Sequence, residues 1–194
     1  WQIMKKGRPK RILDQLGFKV CALLEGRQRR PLAMEYLFGD DAESDADAFS
    51  LYACLVHEKM SYGEARDRIA DAGMREDNQG CALALLDRLP EKRGEVKKVF
   101  IHLEKGTPPE QYDRFESLVA PVRGGLQLGL ALFALGLVDE DTVRQCREAI
   151  SPASGTPDPE LDALITDAVD RRLISRQKLR RLDSVLPISS RKKR

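Results

Sequence analysis

The 194 residues include one tryptophan, two histidines and four cysteines, and aromatic residues are only 6% of the chain. Each scarcity excludes something. Cys21, Cys54, Cys81 and Cys146 are never closer than 27 positions, so there is no C-x-x-C pair and no zinc-knuckle spacing. His57 and His102 add too little to complete a four-ligand site. Cys54 and His57 stand at i, i+3 and share a helical face; they are expected to be ordinary helix residues rather than metal ligands or a nucleophilic pair. Cys21, Cys54 and Cys81 lie among apolar neighbours, as buried free thiols do in a cytoplasmic or other reducing intracellular compartment. The aromatics are not interleaved with the basic runs, which argues against a stacking platform for single-stranded nucleic acid.

Long apolar runs are missing too. The longest, Leu126 to Val138, is 13 residues with Gln127 as its polar member. That is short of the roughly 18 to 20 a membrane span requires and fits a central core helix. Gly125 and Gly129 within it stand as G-x-x-x-G, expected to serve close helix packing. The chain opens on Trp1 rather than Met, which implies a processed or truncated start, and no apolar h-region of a signal peptide follows. Walker A, G-x-G-x-x-G, H-E-x-x-H and G-x-S-x-G sequences are all absent. No catalytic, metal or cofactor residues are therefore expected, and the chain reads as a non-enzyme.

Charge is present in quantity, with a near balance of sign. Lys and Arg total 33 and Asp and Glu 31, for a net charge of +2. The balance hides an asymmetry. Residues 1–38 carry nine bases and three acids, and residues 171–194 carry ten bases and one acid. Residues 39–50 hold five acids and no base, and 124–170 hold nine acids and two bases. Asp40, Asp41, Glu43, Asp45 and Asp47 lack the order of an EF-hand and are expected to form a solvated loop.

Two basic ends around an acidic middle suggest arms that contact nucleic acid. At the N-terminus, Lys5, Lys6, Arg8, Lys10 and Arg11 surround a Gly7-Arg8-Pro9 core. That core resembles an AT-hook, although Lys6 stands where the motif usually has Arg and there is one copy. The resemblance implies an extended segment in the narrow minor groove of A·T-rich DNA. Arg27, Arg29 and Arg30 fall in a helix–helix turn, well placed for phosphates. Arg172, Arg176, Arg180 and Arg181 form the polar face of a C-terminal amphipathic helix, and Arg191, Lys192, Lys193 and Arg194 end the chain. A helix-turn-helix over 61–73 is disfavoured, because Ile69 stands where the tight turn needs glycine and the next segment is net acidic.

Helix signals dominate the middle. Ile12, Leu16, Val20 and Leu24 recur at helical spacing, Pro31 can open a short helix, and Ser44/Asp47 and Ser61/Glu64 read as capping boxes. Thr107-Pro108-Pro109-Glu110 reads as a helix start. Residues 96–103 match a helical i, i+3, i+4, i+7 pattern; Val99, Ile101 and Leu103 also alternate as in a strand, but helix is the favoured reading. Lys59-Met60-Ser61, Leu137-Val138-Asp139 and Leu173-Ile174-Ser175 repeat one pattern, a helix end followed by apolar residues and an N-cap. The expectation is an all-α, irregular multi-helix bundle of helical hairpins. It comprises a basic arm at 1–11, a helical core at 12–150, a Pro/Ser/Gly linker at 151–159, a hairpin at 160–186 and a basic tail at 187–194.

The functional expectation is a non-enzymatic, nucleic-acid-associated helical protein, either a regulator or an accessory subunit of a nucleoprotein complex. It would contact the phosphates of DNA or RNA through its basic ends. The alternative is a helical adaptor or assembly subunit that binds protein, with tails that only solubilise. Either could be an oligomer or complex subunit without a membrane span.

Overall fold

The computed structural model describes residues 10–57, 60–150, 159–182 and 186. It corrects the all-α expectation. The chain is mixed α/β, with a three-stranded parallel sheet packed among helices. The described chain forms two compact units, Trp1–Pro121 and Val122–Arg194.

In the first unit, α1 (Lys10–Arg29) repeats its buried positions every four residues, with Leu16, Val20 and Leu24 fully buried. It packs on α2 (Asp45–Leu55) and α4 (Glu76–Asp87), and α3 (Tyr62–Asp71) packs on α4. Strand β1 (Glu35–Asp40) occupies sequence expected to be a short helix and a loop. It pairs in parallel with β2 (Val96–His102), with Phe38 opposite Phe100 and Asp40 opposite His102. Parallel pairing requires a long crossover, and α2–α4 supply it. A 3-10 helix, Pro109–Phe115, leads to β3 (Val119–Val122) on the other side of β2. Thr107 does not cap that helix, which starts from Pro108.

The helix expected over 96–103 is β2, and its burial explains the misreading. As the central strand it buries Val99, Phe100 and Ile101 in succession. A strand covered on both faces loses the alternation that marks a half-buried one. The remaining apolar residues, Val96 and Leu103, then complete a helix-like spacing by coincidence.

The second unit contains two helical hairpins, α5 (Gly125–Ala134) with α6 (Glu140–Ile150) and α7 (Pro159–Asp170) with α8 (Arg176–Arg180). Their core joins Leu126, Leu130 and Phe133 to Val143, Ile165 and Leu179. Gly129 lets α6 approach, since a Cβ there would lie 3.2 Å from Cys146 Sγ; Gly125 faces open space. Both hairpins turn in one way. Gly136 N–H donates to Phe133 O and Leu137 N–H to Leu132 O, both at 3.0 Å. Arg172 N–H donates to Val169 O at 3.0 Å and Leu173 N–H to Ala168 O at 2.8 Å. These are paired Schellman closures, each with a left-handed residue after the helix. Asp139 then caps α6 through Thr142 N–H, and Ser175 caps α8 through Lys178 N–H. Ser61 and Glu64 form the expected reciprocal box on α3.

Candidate nucleic-acid interface

The α7–α8 hairpin carries the clearest set of predicted phosphate contacts. Between Arg172 and Arg181 there is no acidic residue. Arg172, Arg176, Arg180 and Arg181 are all exposed, and among the described residues none makes an ion pair. The placement follows from local structure. Leu173, Ile174, Leu179 and Leu182 turn into the core of the unit, which leaves the interleaved arginines outside. Among the described residues, regular helix in this segment is the five residues Arg176–Arg180. Arg181 lies over the Phe133 ring at 5.7 Å, and Lys178 donates to the Ala134 carbonyl oxygen. Their heads are thus partly committed to packing, whereas those of Arg172, Arg176 and Arg180 are not.

Beside this hairpin, Phe133 and Val138 help line an open pocket of about 610 Å³ between the α5–α6 turn and α8. Asp139, Glu140 and Asp141 stand on one side, and Lys178 and Arg181 on the other. Thr142 holds the Asp139 carboxyl, and Arg144 the Asp141 carboxyl, below the usual range. Leu135 and Leu137 on the same turn are exposed.

Arg27 departs from the expected role. Its side chain has no exposed surface. Nε donates to Tyr52 Oη at 3.0 Å, Nη1 to Ala33 O at 2.6 Å and Nη2 to Glu35 Oε2 at 2.6 Å. Tyr52 Oη donates to the same Glu35 oxygen at 2.6 Å. Burial, with the adjacent carboxylate, pushes the Tyr52 hydroxyl up from its ordinary value. The cluster fastens the end of α1 to β1 and α2, and complete burial keeps Arg27 out of reach of a phosphate. Arg29 and Arg30 remain exposed at the same helix end. Lys10 and Arg11 form the first residues of α1. Lys5, Lys6, Arg8, Arg191, Lys192, Lys193 and Arg194 lie outside the described residues, as does the AT-hook-like Gly7-Arg8-Pro9.

The acidic segment is not the solvated loop expected. Asp45 and Asp47 are buried in the first turn of α2. Lys19 bridges Asp45 and Glu43, and Arg114 reaches Asp47 at 3.1 Å. Burial alone would lower the Lys19 amine, but the two carboxylates outweigh it and raise it. Asp41 accepts from Lys105 N–H at 2.7 Å and Thr107 N–H at 3.0 Å. Those bonds overcome its desolvation and hold the carboxyl below the usual range. Ser44 makes no capping bond to the α2 N-terminus, and its Oγ is buried without a partner among the described residues. Ion pairs with Lys19 and Arg114 thus offset part of the acidic block within its own unit, and backbone N–H groups hold Asp41.

Sequence reasoning also missed a polar network in the second unit. Gln127, on the most apolar helix, is 1% exposed. Its Nε2 donates to Leu164 O at 2.9 Å and Asp167 Oδ2 at 2.8 Å. Its Oε1 accepts from Arg123 N–H and Arg171 Nη2, both at 2.8 Å. Arg171 is thereby turned inward, unlike Arg172. The sole polar residue in a 13-residue apolar run was the available signal for such a buried contact.

Among the described residues no three His, Cys, Asp or Glu side chains gather as a metal site. No helix among them is long and apolar enough to cross a membrane. In comparison with known proteins, no family model, curated protein or solved structure matches the chain.

Proposed function

We propose that the chain is a non-enzymatic, nucleic-acid-associated protein that contacts the phosphate backbone through the α7–α8 hairpin. One observation carries the reading: Arg172, Arg176 and Arg180 are exposed, uncommitted and uncompensated by any acid between 172 and 181. An ordinary solvated face alternates signs, as α6 does with Arg144 between Asp141 and Glu148. A face of one sign repels itself, and an array of phosphates removes that repulsion. The guanidinium fork suits phosphate oxygens. Arg29 and Arg30 offer a further pair of cations on the first unit. The contacts described are suited to the backbone, so sequence preference is expected to be weak.

The test is fluorescence anisotropy of the full chain with A·T-rich duplex, G·C-rich duplex and single-stranded RNA at two salt concentrations. Salt-sensitive binding that weakens in R172A/R176A/R180A supports the reading. No binding at low salt overturns it. A second reading, as a protein-binding adaptor, draws on exposed Leu135 and Leu137 at the pocket that Phe133 and Val138 help line. Binding through that apolar surface would be nearly independent of salt and would be lost in L135D/L137D.

A further inference from the structure

Helices α1 and α4 meet closely at two consecutive turns. At the first, Gly17 lies against Asn78, and a Cβ on Gly17 would sit 2.4 Å from Asn78 Nδ2. At the next, the Cys21 thiol donates to the Asn78 carbonyl oxygen at 3.5 Å, one helical turn before Cys81 on α4. Gly17 and Cys21 are four residues apart on α1, and Asn78 and Cys81 three apart on α4. Each pair therefore shares the face turned to the other helix. A disulfide needs its two Cα atoms roughly 4.4–6.8 Å apart, closer than most helix pairs come. The glycine beside the crossing permits that approach. Both cysteines are free thiols in the structure; Cys21 is buried and Cys81 is exposed.

We propose that Cys21 and Cys81 are a redox-modification site, closing a reversible disulfide between α1 and α4 by exchange with a low-molecular-weight disulfide such as oxidised glutathione. The exposed Cys81 thiolate attacks one sulfur of the small disulfide, breaks its S–S bond and releases one thiolate. Cys21 then gives up its proton, attacks Cys81 Sγ and displaces the second thiolate. Two protein thiols become one disulfide, and the small disulfide is reduced to two thiols that take up the two protons. The order follows from access, because only Cys81 faces solvent. It also follows from acidity: burial, reinforced by Cys81, pushes the Cys21 thiol up to about 12. The bond would tie α1 to α4 across the intervening β1, α2 and α3, and constrain the unfolded chain over that length. Cys54 and Cys146 are half-buried elsewhere and serve as internal controls.

The experiment uses the full chain equilibrated in glutathione buffers from reducing to oxidising, followed by alkylation of free thiols, mass analysis and thermal melting. The expected result is two protected thiols, one Cys21–Cys81 cross-linked peptide and a Tm higher by roughly 10 °C, all reversed by dithiothreitol. C81S, a change at an exposed position, should abolish the cross-link and the Tm rise, whereas C146S should leave both. A glutathione adduct on Cys81 that never closes, a cross-link to Cys54 or Cys146, or an oxidised chain with unchanged Tm would overturn the proposal.

Discussion

Gly136 and Arg172 occupy one backbone position in two matching turns, with φ of 74° and 60°. Each follows a helix in the left-handed region, and each precedes the same sequence of an apolar pair and a capping residue. Glycine takes that conformation without strain, whereas an arginine meets its own Cβ there. The second hairpin therefore accepts a strained residue where the first has the unstrained one. R172G should raise stability by about 1 kcal/mol in chemical denaturation. On the proposed function the same change should weaken nucleic-acid binding. A variant that gains stability while losing affinity separates the binding role of Arg172 from a folding role.

Removing the buried guanidinium should be damaging. R27M leaves Glu35 and Tyr52 with unsatisfied polar groups, and the expected loss is about 3–5 kcal/mol in urea unfolding. The double variant R27M/E35M should recover part of that loss, because no charge is stranded. R29A and R30A, both at exposed positions, should change stability by less than about 0.5 kcal/mol. That contrast separates the fastening arginine from its two surface neighbours.

If the hairpin contacts duplex phosphates, each lost contact lowers the slope of log K against log salt by about 0.9. R172A/R176A/R180A should therefore reduce the slope by up to roughly 2.7 while the melting temperature stays within a few degrees of the parent. An unchanged slope would place the phosphate contacts elsewhere on the chain.

Asp167 sets a dependence on acid. Burial opposes its charge, but Arg171 and Gln127 outweigh burial and hold its carboxyl below the usual range. A depressed carboxylate contributes stability that is fully present above its unfolded value, about 3.9, and is lost as pH falls through the lower folded value. The parent should lose Tm steeply below about pH 4. D167N should melt lower at neutral pH, by about 1–2 kcal/mol of stability, and show a shallower decline in acid. Melting curves from pH 2 to pH 7 decide it.

Much of the local structure was legible because its causes are local. The four-residue repeat of Leu16, Val20 and Leu24 marks α1, and the Ser61/Glu64 box opens α3 where the sequence places it. The capping residues Asp139 and Ser175 also open α6 and α8 as read. The sheet was not legible. Tyr36, Leu37 and Phe38 sit between turn signals that also suit a short helix, and Val99-Phe100-Ile101 carry no alternation because β2 is covered on both faces. The Ser44/Asp47 box failed because Asp47 was taken up by Arg114, 67 positions away.

The candidate interface divides in the same way. The exposure of Arg172, Arg176 and Arg180 follows from the leucines and isoleucine between them, and both sets are written in adjacent sequence. The fate of Arg27 depends on Glu35 and Tyr52, and that of Arg171 on Gln127, 44 positions away. The sequence by itself determined helix periodicity, caps and segmental charge, since each rests on residues within two turns of one another. Only the tertiary structure decided which charges face solvent and which strands pair. Those outcomes depend on contacts between residues far apart in the chain, where an arginine meets either a buried carboxylate or water.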